Sequence, residues 1–228
     1  FETFAQELST RLARRGHHVI VYCRRANYPE PLVEYQGVQL VTLPTIHTKS
    51  LDTLSHAFLS SLHVLSQRVD IALYCNSGTS CFAWIPRLRR AKVVMNPDGL
   101  EWERAKWGRA GKTFYKFSEY LAAWFSDRIV SDSNVIRTYY RDRFGCDSDF
   151  VSYGADIVER GTGRELLAEF GLKPETYFLF VSRLEPENNA HLVVEAFERV
   201  DTDMNLLVVG SAPFADDYIR RLTDTKDK

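Results

Sequence analysis

Between Lys92 and Trp107 the chain reads KVVMNPDGLEWERAKW. A short apolar run leads into Asn96, Pro97, Asp98 and Gly99. Trp102 and Trp107 follow, set among Glu101, Glu103, Arg104 and Lys106. A carboxylate placed just past a strand can orient the hydroxyls of a polyol, which makes Asp98 a candidate. Gly99 is expected to allow a backbone turn with positive φ. The two tryptophans can stack on a sugar ring or clamp the loop to the sheet, leaving the charged residues solvated or paired. A second stretch, FVSRLEPENNAHLVVEAF at 180–197, ends an apolar run at Ser182 and puts Arg183 at its tip. The planar guanidinium suits a diphosphate. A turn at Glu185-Pro186 then leads to a helix expected to start near Glu187 or Asn188, whose N–H groups favour an anion. At the start of the chain, Glu2 either accepts hydrogen bonds from a sugar hydroxyl or serves the helix dipole. SDSN at 131–134 offers Asp132 or Ser133 as a helix cap.

The elements that must position these residues alternate. FETFAQELSTRLARRG is helical, with Phe1, Phe4, Leu8 and Leu12 on one face and Gly16 as a stop. Apolar strand-like runs follow at 18–23, 38–44, 70–76, 92–95, 127–133 and 148–154. Between them lie helical stretches at 50–69, 79–90, 111–126 and 134–145. Ser50 is the expected cap of the first of these, and Pro86 is expected to kink the second. Strands apolar throughout, separated by helices, predict a doubly wound parallel sheet. Ligands of such sheets bind beyond the carboxyl ends of the strands, where all four candidate stretches fall. Such a sheet needs a strand ahead of the first helix, so residues are expected before Phe1 in the natural protein, as the lack of an initiator Met also suggests. YGADIVERGTG at 153–163 is the linker candidate. A second β–α–β unit follows, with strands in TYFLFVSRL and MNLLVVG and a last helix near 216–225. The expected domains are 1–153 and 154–228, the second stopping partway through its sheet.

The totals exclude several classes. The chain has 228 residues, 45% of them apolar, and a net charge of −1. No global field attracts nucleic acid or an anionic membrane. No apolar run approaches a membrane span of ~20 residues, and no signal peptide is visible. The four cysteines (Cys23, Cys75, Cys81, Cys146) lack CxxC spacing and read as reduced thiols of a cytoplasmic protein. WIPRLRRAK at 84–92 is the one basic segment with a tryptophan. It reads as a peripheral membrane contact or as a solvated helix end.

These residues, in this order, resemble glycosyltransferase family 4, proteins with two Rossmann-like domains facing a cleft (the GT-B fold). FETFAQELSTRLARRGHHVIVY is similar to the family's Gly-Gly-x-Glu helix ending in RGHxV, which places Glu2 on that glutamate. SRLEPENN is similar to GRLxPEKG, which places Arg183 on the diphosphate-binding arginine and Asn188 where lysine is usual. One subgroup, resembling rhamnosyltransferases of bacterial surface polysaccharides, shares DGLEWxRxKW and RLEPENN. The resemblance implies a retaining transfer of a sugar, rhamnose among the options, from a dTDP- or UDP-linked donor to a glycan or lipid-linked acceptor. It implies no cofactor beyond the nucleotide-sugar and no metal. The donor would be bound by Arg183, Glu187, Asn188 and Asn189, the acceptor by Glu2, Asp98, Gly99 and Trp102, with Asp98 and Arg183 catalytic. The family's paired donor-binding glutamates would lie beyond Lys228. Asparagine at 188 brings no charge, which leaves open a non-catalytic nucleotide-sugar binding module of the same fold. An epimerase or phosphorylase of similar shape lacks its own motifs here.

Overall fold

The computed structural model describes residues 2–27, 30, 32–48, 51–104, 107–157, 164–212 and 216–224. The chain divides into two compact units, Phe1–Gly154 and Ala155–Lys228.

The first unit opens with α1 (Glu2–Arg14) and β1 (Ile20–Arg24). β2 (Glu34–Tyr35) and β3 (Val38–Leu43) form a hairpin, and β1 lies parallel to β3 in the order β1-β3-β2. The sequence reading did not foresee β2. Its turn places Gln36 at φ 49 and Gly37 at φ 80, the paired left-handed geometry that a two-residue hairpin requires. α2 (Asp52–Val64) follows. Its expected cap, Ser50, lies outside the described residues.

A four-stranded parallel sheet comes next. β4 (Ile71–Cys75), β5 (Lys92–Asn96), β6 (Arg128–Ser131) and β7 (Asp149–Phe150) stand in chain order. Among the described residues no ladder joins this sheet to the first. α2 bridges them instead: Tyr22 Oη lies 3.1 Å from His63 Nδ1, and Ser61 Oγ lies 2.6 Å from Tyr74 Oη. The expected helix at 79–90 is a 3-10 segment, Ser77–Phe82, followed by one α turn, α3 (Trp84–Arg87). Pro86 sits within that first turn, where its missing N–H costs no hydrogen bond. α4 (Arg109–Phe125) and α5 (Asn134–Phe144) cover the sheet. Ser133 caps α5 by accepting the Ile136 N–H at 3.3 Å, and Gly145 ends it at φ 65. Val93, Met95, Ala122, Ile129, Ile136 and Tyr140 form the buried core. These are the apolar positions of β5 and β6 and the inward faces of α4 and α5, so the core sits directly beneath the strand ends that carry Asp98 and Asp132.

The second unit holds α6 (Arg164–Glu169), β8 (Tyr177–Val181), α7 (Ala190–Phe197), β9 (Asn205–Val209) and α8 (Asp216–Thr223). β8 and β9 pair in parallel. α6 lies just past the linker candidate, in a stretch to which the sequence reading assigned no element. The linker candidate itself lies largely in 158–163, outside the described residues. Leu184, Ala190 and Leu222 form a small core with Phe180, Val194 and Val208 packed against it.

Candidate functional site

Two groups of candidate residues emerge, one in each unit. In the first unit, β5 and β6 pair Met95 with Ile129. Asp98 and Asp132, each three residues further on, therefore leave neighbouring strands at the same level. Asn96 is buried and its Oδ1 accepts the Asp98 N–H at 3.0 Å. This bond closes a tight turn in which Asp98, not Gly99, takes the positive φ, at 63. The expectation for Gly99 is thereby corrected. Aspartate tolerates the left-handed region better than most non-glycine residues, so the turn does not need a glycine at 98. Gly99 is exposed, and a Cβ there would meet nothing within 4 Å.

The Asp98 carboxyl is pushed above the ordinary carboxylate range by its burial first, then by the charges of Asp132 and Glu101. Tyr153, three residues past the end of β7, belongs to the same cluster. Burial raises its hydroxyl, and the charges of Asp98 and Asp132 add to the effect. Its ring meets Phe4 of α1 edge-on, centroids 5.2 Å apart. Phe4 is two residues from Glu2, so the start of α1 and the end of β5 come together at one end of the sheet. The Glu2 carboxylate is held below its usual range by a backbone hydrogen bond at the helix start, with Arg24 adding to it.

Trp102 does not lie open as a stacking surface. Lys116 Nζ sits over its ring, 4.4 Å from the centroid, and its indole nitrogen is buried, facing the Glu119 carboxyl and the Tyr139 hydroxyl. Trp107 donates from Nε1 to Glu101 Oε2 at 3.1 Å and packs on Tyr115 at 5.1 Å. Glu101 itself is only 4% exposed and accepts from Arg104 at 2.6 Å. Of the charged residues expected to be solvated or paired, Glu101 is paired, with Arg104, and what the sequence did not show is that it is buried. It is the buried centre that ties the loop down. Lys106 lies outside the described residues.

Beneath the loop, Glu119 on α4 is buried and accepts from the Tyr139 hydroxyl at 2.7 Å. Burial raises its carboxyl above the usual range; the Tyr139 hydroxyl and the nearby Trp102 N–H act the other way. The folded state therefore holds this proton more tightly than the unfolded chain. Stability from this group is full below the ordinary glutamate value and is lost as pH rises through the elevated one. Glu119→Gln, which cannot ionise, is expected to flatten the decline in stability just above the ordinary carboxylate range. Urea midpoints measured across pH 4 to 7 check it, and an unchanged slope would remove Glu119 as the cause.

In the second unit Arg183 follows β8 directly and is exposed. Its loop is fixed on several sides. Ser182 N–H donates to Val209 O at 3.1 Å, Leu184 N–H donates to Ser211 O at 3.3 Å, and the Leu184 side chain is buried. Gly210 makes this approach possible, since a Cβ there would lie 1.8 Å from Ser182 O. Asn188 donates from Nδ2 to Arg183 O at 2.6 Å, and Asn189 from Nδ2 to Glu187 O at 3.3 Å. The amide of Asn188 is thus spent on holding the loop. The helix expected to begin at Glu187 or Asn188 is a 3-10 turn over Pro186–Asn188, and α7 starts only at Ala190. The break is at Asn189, whose φ of 58 is not helical. Among the described residues the Arg183 guanidinium has no hydrogen-bond or ion-pair partner.

Three cations of the basic segment are engaged within the protein. Arg87 and Lys92 pair with Asp127 at 2.8 and 3.0 Å, and Arg89 donates to Leu65 O at 3.0 Å. No helix among the described residues is long and apolar enough to cross a membrane. Also among the described residues, no group of three or more His, Cys, Asp or Glu side chains could hold a metal ion. The four cysteines are free thiols, with Cys75 and Cys81 each raised by burial to about 11. A cavity of about 290 Å³ lined by Pro44, Thr45, Ile46, Ser55, Phe58 and Leu59 holds none of the candidate residues.

Sequence reasoning missed Tyr153, which it assigned to the linker. The signal was present: the residue lies just past a strand, the same placement that singled out Asp98.

Comparison with solved structures finds the same fold in proteins of low sequence identity. HepE of Anabaena, solved in complex with UDP-glucose, matches at a TM-score of 0.69 and 14% identity, over 94% of this chain and 58% of its own. HepE with UDP and glucose matches at 0.65 and 16%, over 82% of this chain and 52% of its own. UGT89C1 of Arabidopsis thaliana, complexed with UDP-L-rhamnose, matches at 0.52 and 17%, over 91% of this chain and 66% of its own. The chain thus has the α/β GT-B fold class, parallel sheets covered by helices, and spans between half and two thirds of the length of these proteins. No curated protein matches the sequence. A family model matches residues 1–156, two thirds of the chain, and the protein belongs to that family, described as a domain of unknown function, DUF1972.

Proposed function

We propose that the protein is a glycosyltransferase that moves a sugar from a nucleotide-sugar to a glycan or lipid-linked acceptor. The observation that carries this is Arg183. It is an exposed guanidinium without a partner among the described residues, on a loop pinned at the carboxyl end of β8. It stands in a chain whose fold matches proteins solved with UDP-glucose and UDP-L-rhamnose. An unpaired guanidinium carried on a fixed backbone at a strand tip is what a leaving diphosphate needs, because its charge grows as the glycosidic bond breaks. The donor side is the second unit, 154–228, with Arg183, Glu187, Asn188 and Asn189. The acceptor side is the first, 1–153, with Glu2, Asp98, Gly99 and Trp102. In the finer reading the transfer is retaining and needs no metal. The sugar is rhamnose from a dTDP- or UDP-linked donor, and the product is a surface polysaccharide built in the cytoplasm, at the inner membrane face when the acceptor is lipid-linked.

One observation favours a second reading. Asn188 supplies no charge, and its amide already serves Arg183 O. Donor binding through that position is accordingly weak, as in a non-catalytic nucleotide-sugar binding module. Transfer from radiolabelled dTDP-rhamnose and UDP-glucose to a glycan and lipid-linked acceptor fraction separates the two. Label in the acceptor is the expected result. Donor binding without any transfer would favour the module.

A further inference from the structure

The acceptor reading places a sugar at the carboxyl end of the first unit's sheet, and the inference here rests on that reading. Such a sugar needs an apolar surface for one face of its ring and acceptors for its hydroxyls. Trp102, the aromatic residue that the sequence offered, is covered by Lys116. Tyr153 is different: it is 46% exposed, stands three residues past β7, and is steadied by its edge contact with Phe4. Asp98 and Asp132 emerge beside it on adjacent strands. Behind Asp98, Ser77 donates its N–H to Pro97 O at 3.4 Å. Ser77 is 1% exposed, yet its hydroxyl is buried with no hydrogen-bond partner among the described residues. A buried hydroxyl at a strand end with no partner among the described residues is a place where a ligand or water can complete the bonding.

We propose that Tyr153, braced edge-on by Phe4, offers its ring face to a neutral pyranose acceptor, with Asp98 and Asp132 accepting from two of its neighbouring hydroxyls. Two carboxylates side by side offer only acceptors, and a vicinal diol offers two donors. The Tyr153 ring supplies the apolar surface for the pyranose C–H face. The same pair of carboxylates repels a negative charge. A uronic acid or a sugar phosphate is therefore rejected, and the acceptor terminus is a neutral hexose or deoxyhexose.

Saturation-transfer NMR and calorimetric titration of the protein with methyl β-D-glucopyranoside, methyl α-L-rhamnopyranoside and methyl β-D-glucuronide test this. At least one neutral glycoside is expected to bind, with saturation passing to its ring C–H protons. The glucuronide should bind at least about 10-fold more weakly, since charge repulsion replaces a charge-assisted hydrogen bond. Tyr153→Ala should weaken the neutral glycoside by about 10-fold, and Tyr153→Phe, which keeps the ring, should restore most of that loss. Asp132→Asn, which is isosteric, should narrow the gap between neutral and anionic glycosides. UDP and dTDP titrated into the same preparations report on the donor site separately. If either nucleotide binds while Tyr153→Ala leaves glycoside binding intact, the aromatic face at Tyr153 is wrong and the donor site stands. If glycosides bind as described while neither nucleotide does, the transferase reading fails alone. Failure of every neutral glycoside to bind the unaltered protein, or equal binding of the glucuronide, overturns the proposal.

Discussion

Replacing Arg183 with alanine is expected to weaken UDP binding by about 10- to 100-fold, read by isothermal titration. The magnitude follows from the net loss of about one charge-assisted hydrogen bond to a diphosphate, on the order of 1.5–3 kcal/mol. The loop offers no second cation to substitute, since Asn188 is neutral and its amide is committed to Arg183 O. Arg183→Lys keeps the charge but loses the fork, so it should fall between the two proteins. The loss should shrink at high salt, because an exposed charge is screened. The fold should survive, since the anchors of this loop are Leu184 and the backbone bonds to Val209 and Ser211, not the guanidinium. Equal UDP affinity in the wild type and Arg183→Ala would remove this residue from any nucleotide site.

Much of the architecture was legible because the strands are apolar along nearly their whole length. Val93, Val94 and Met95, or Leu206, Leu207 and Val208, leave few readings other than central parallel strands. Helix ends written in strong local chemistry also read correctly, as at Ser133 and Gly145. What failed depends on partners distant in sequence or on a single dihedral. The hairpin at Gln36-Gly37 is held by a two-residue turn and a strand too short for periodicity to reveal. The break at Asn189 is one left-handed residue within a run of good helix formers.

The candidate site divides in the same way. Asp98 and Arg183 stood out because both follow apolar strands, and their strand-end positions are those observed. Glu101 and Tyr153 did not stand out. A glutamate among other charges reads as solvated until its partners are known, and Arg104 and Trp107 become its partners only once the loop has folded back. Tyr153 sits among glycines and acids, a composition that signals a linker. Its role depends on Phe4, some 150 residues earlier in the chain.

The loop after β5 supplies the second large effect. Glu101 is the point where this segment closes on itself: one carboxylate oxygen accepts from Arg104 and the other from the Trp107 indole, at 2.6 and 3.1 Å. Because Glu101 is 4% exposed, removing it strands two donors in a largely dry site. Breaking one side of a buried pair typically costs about 3–5 kcal/mol, and the partial exposure of Arg104 lets it recover some hydration. Glu101→Ala is therefore expected to lose about 2–4 kcal/mol by urea unfolding. Glu101→Gln can still accept from Trp107 and should lose less. Replacing Arg104 with methionine in the Glu101→Ala background removes one stranded donor, so the double variant should be less destabilised than the sum of the two single changes. The loop begins at Asp98, so Glu101→Ala should also reduce glycoside binding at the first unit while leaving UDP affinity at the second unchanged. Wild-type urea midpoints in Glu101→Ala would mean that water already serves Arg104 and Trp107, and that the buried carboxylate does not hold the loop.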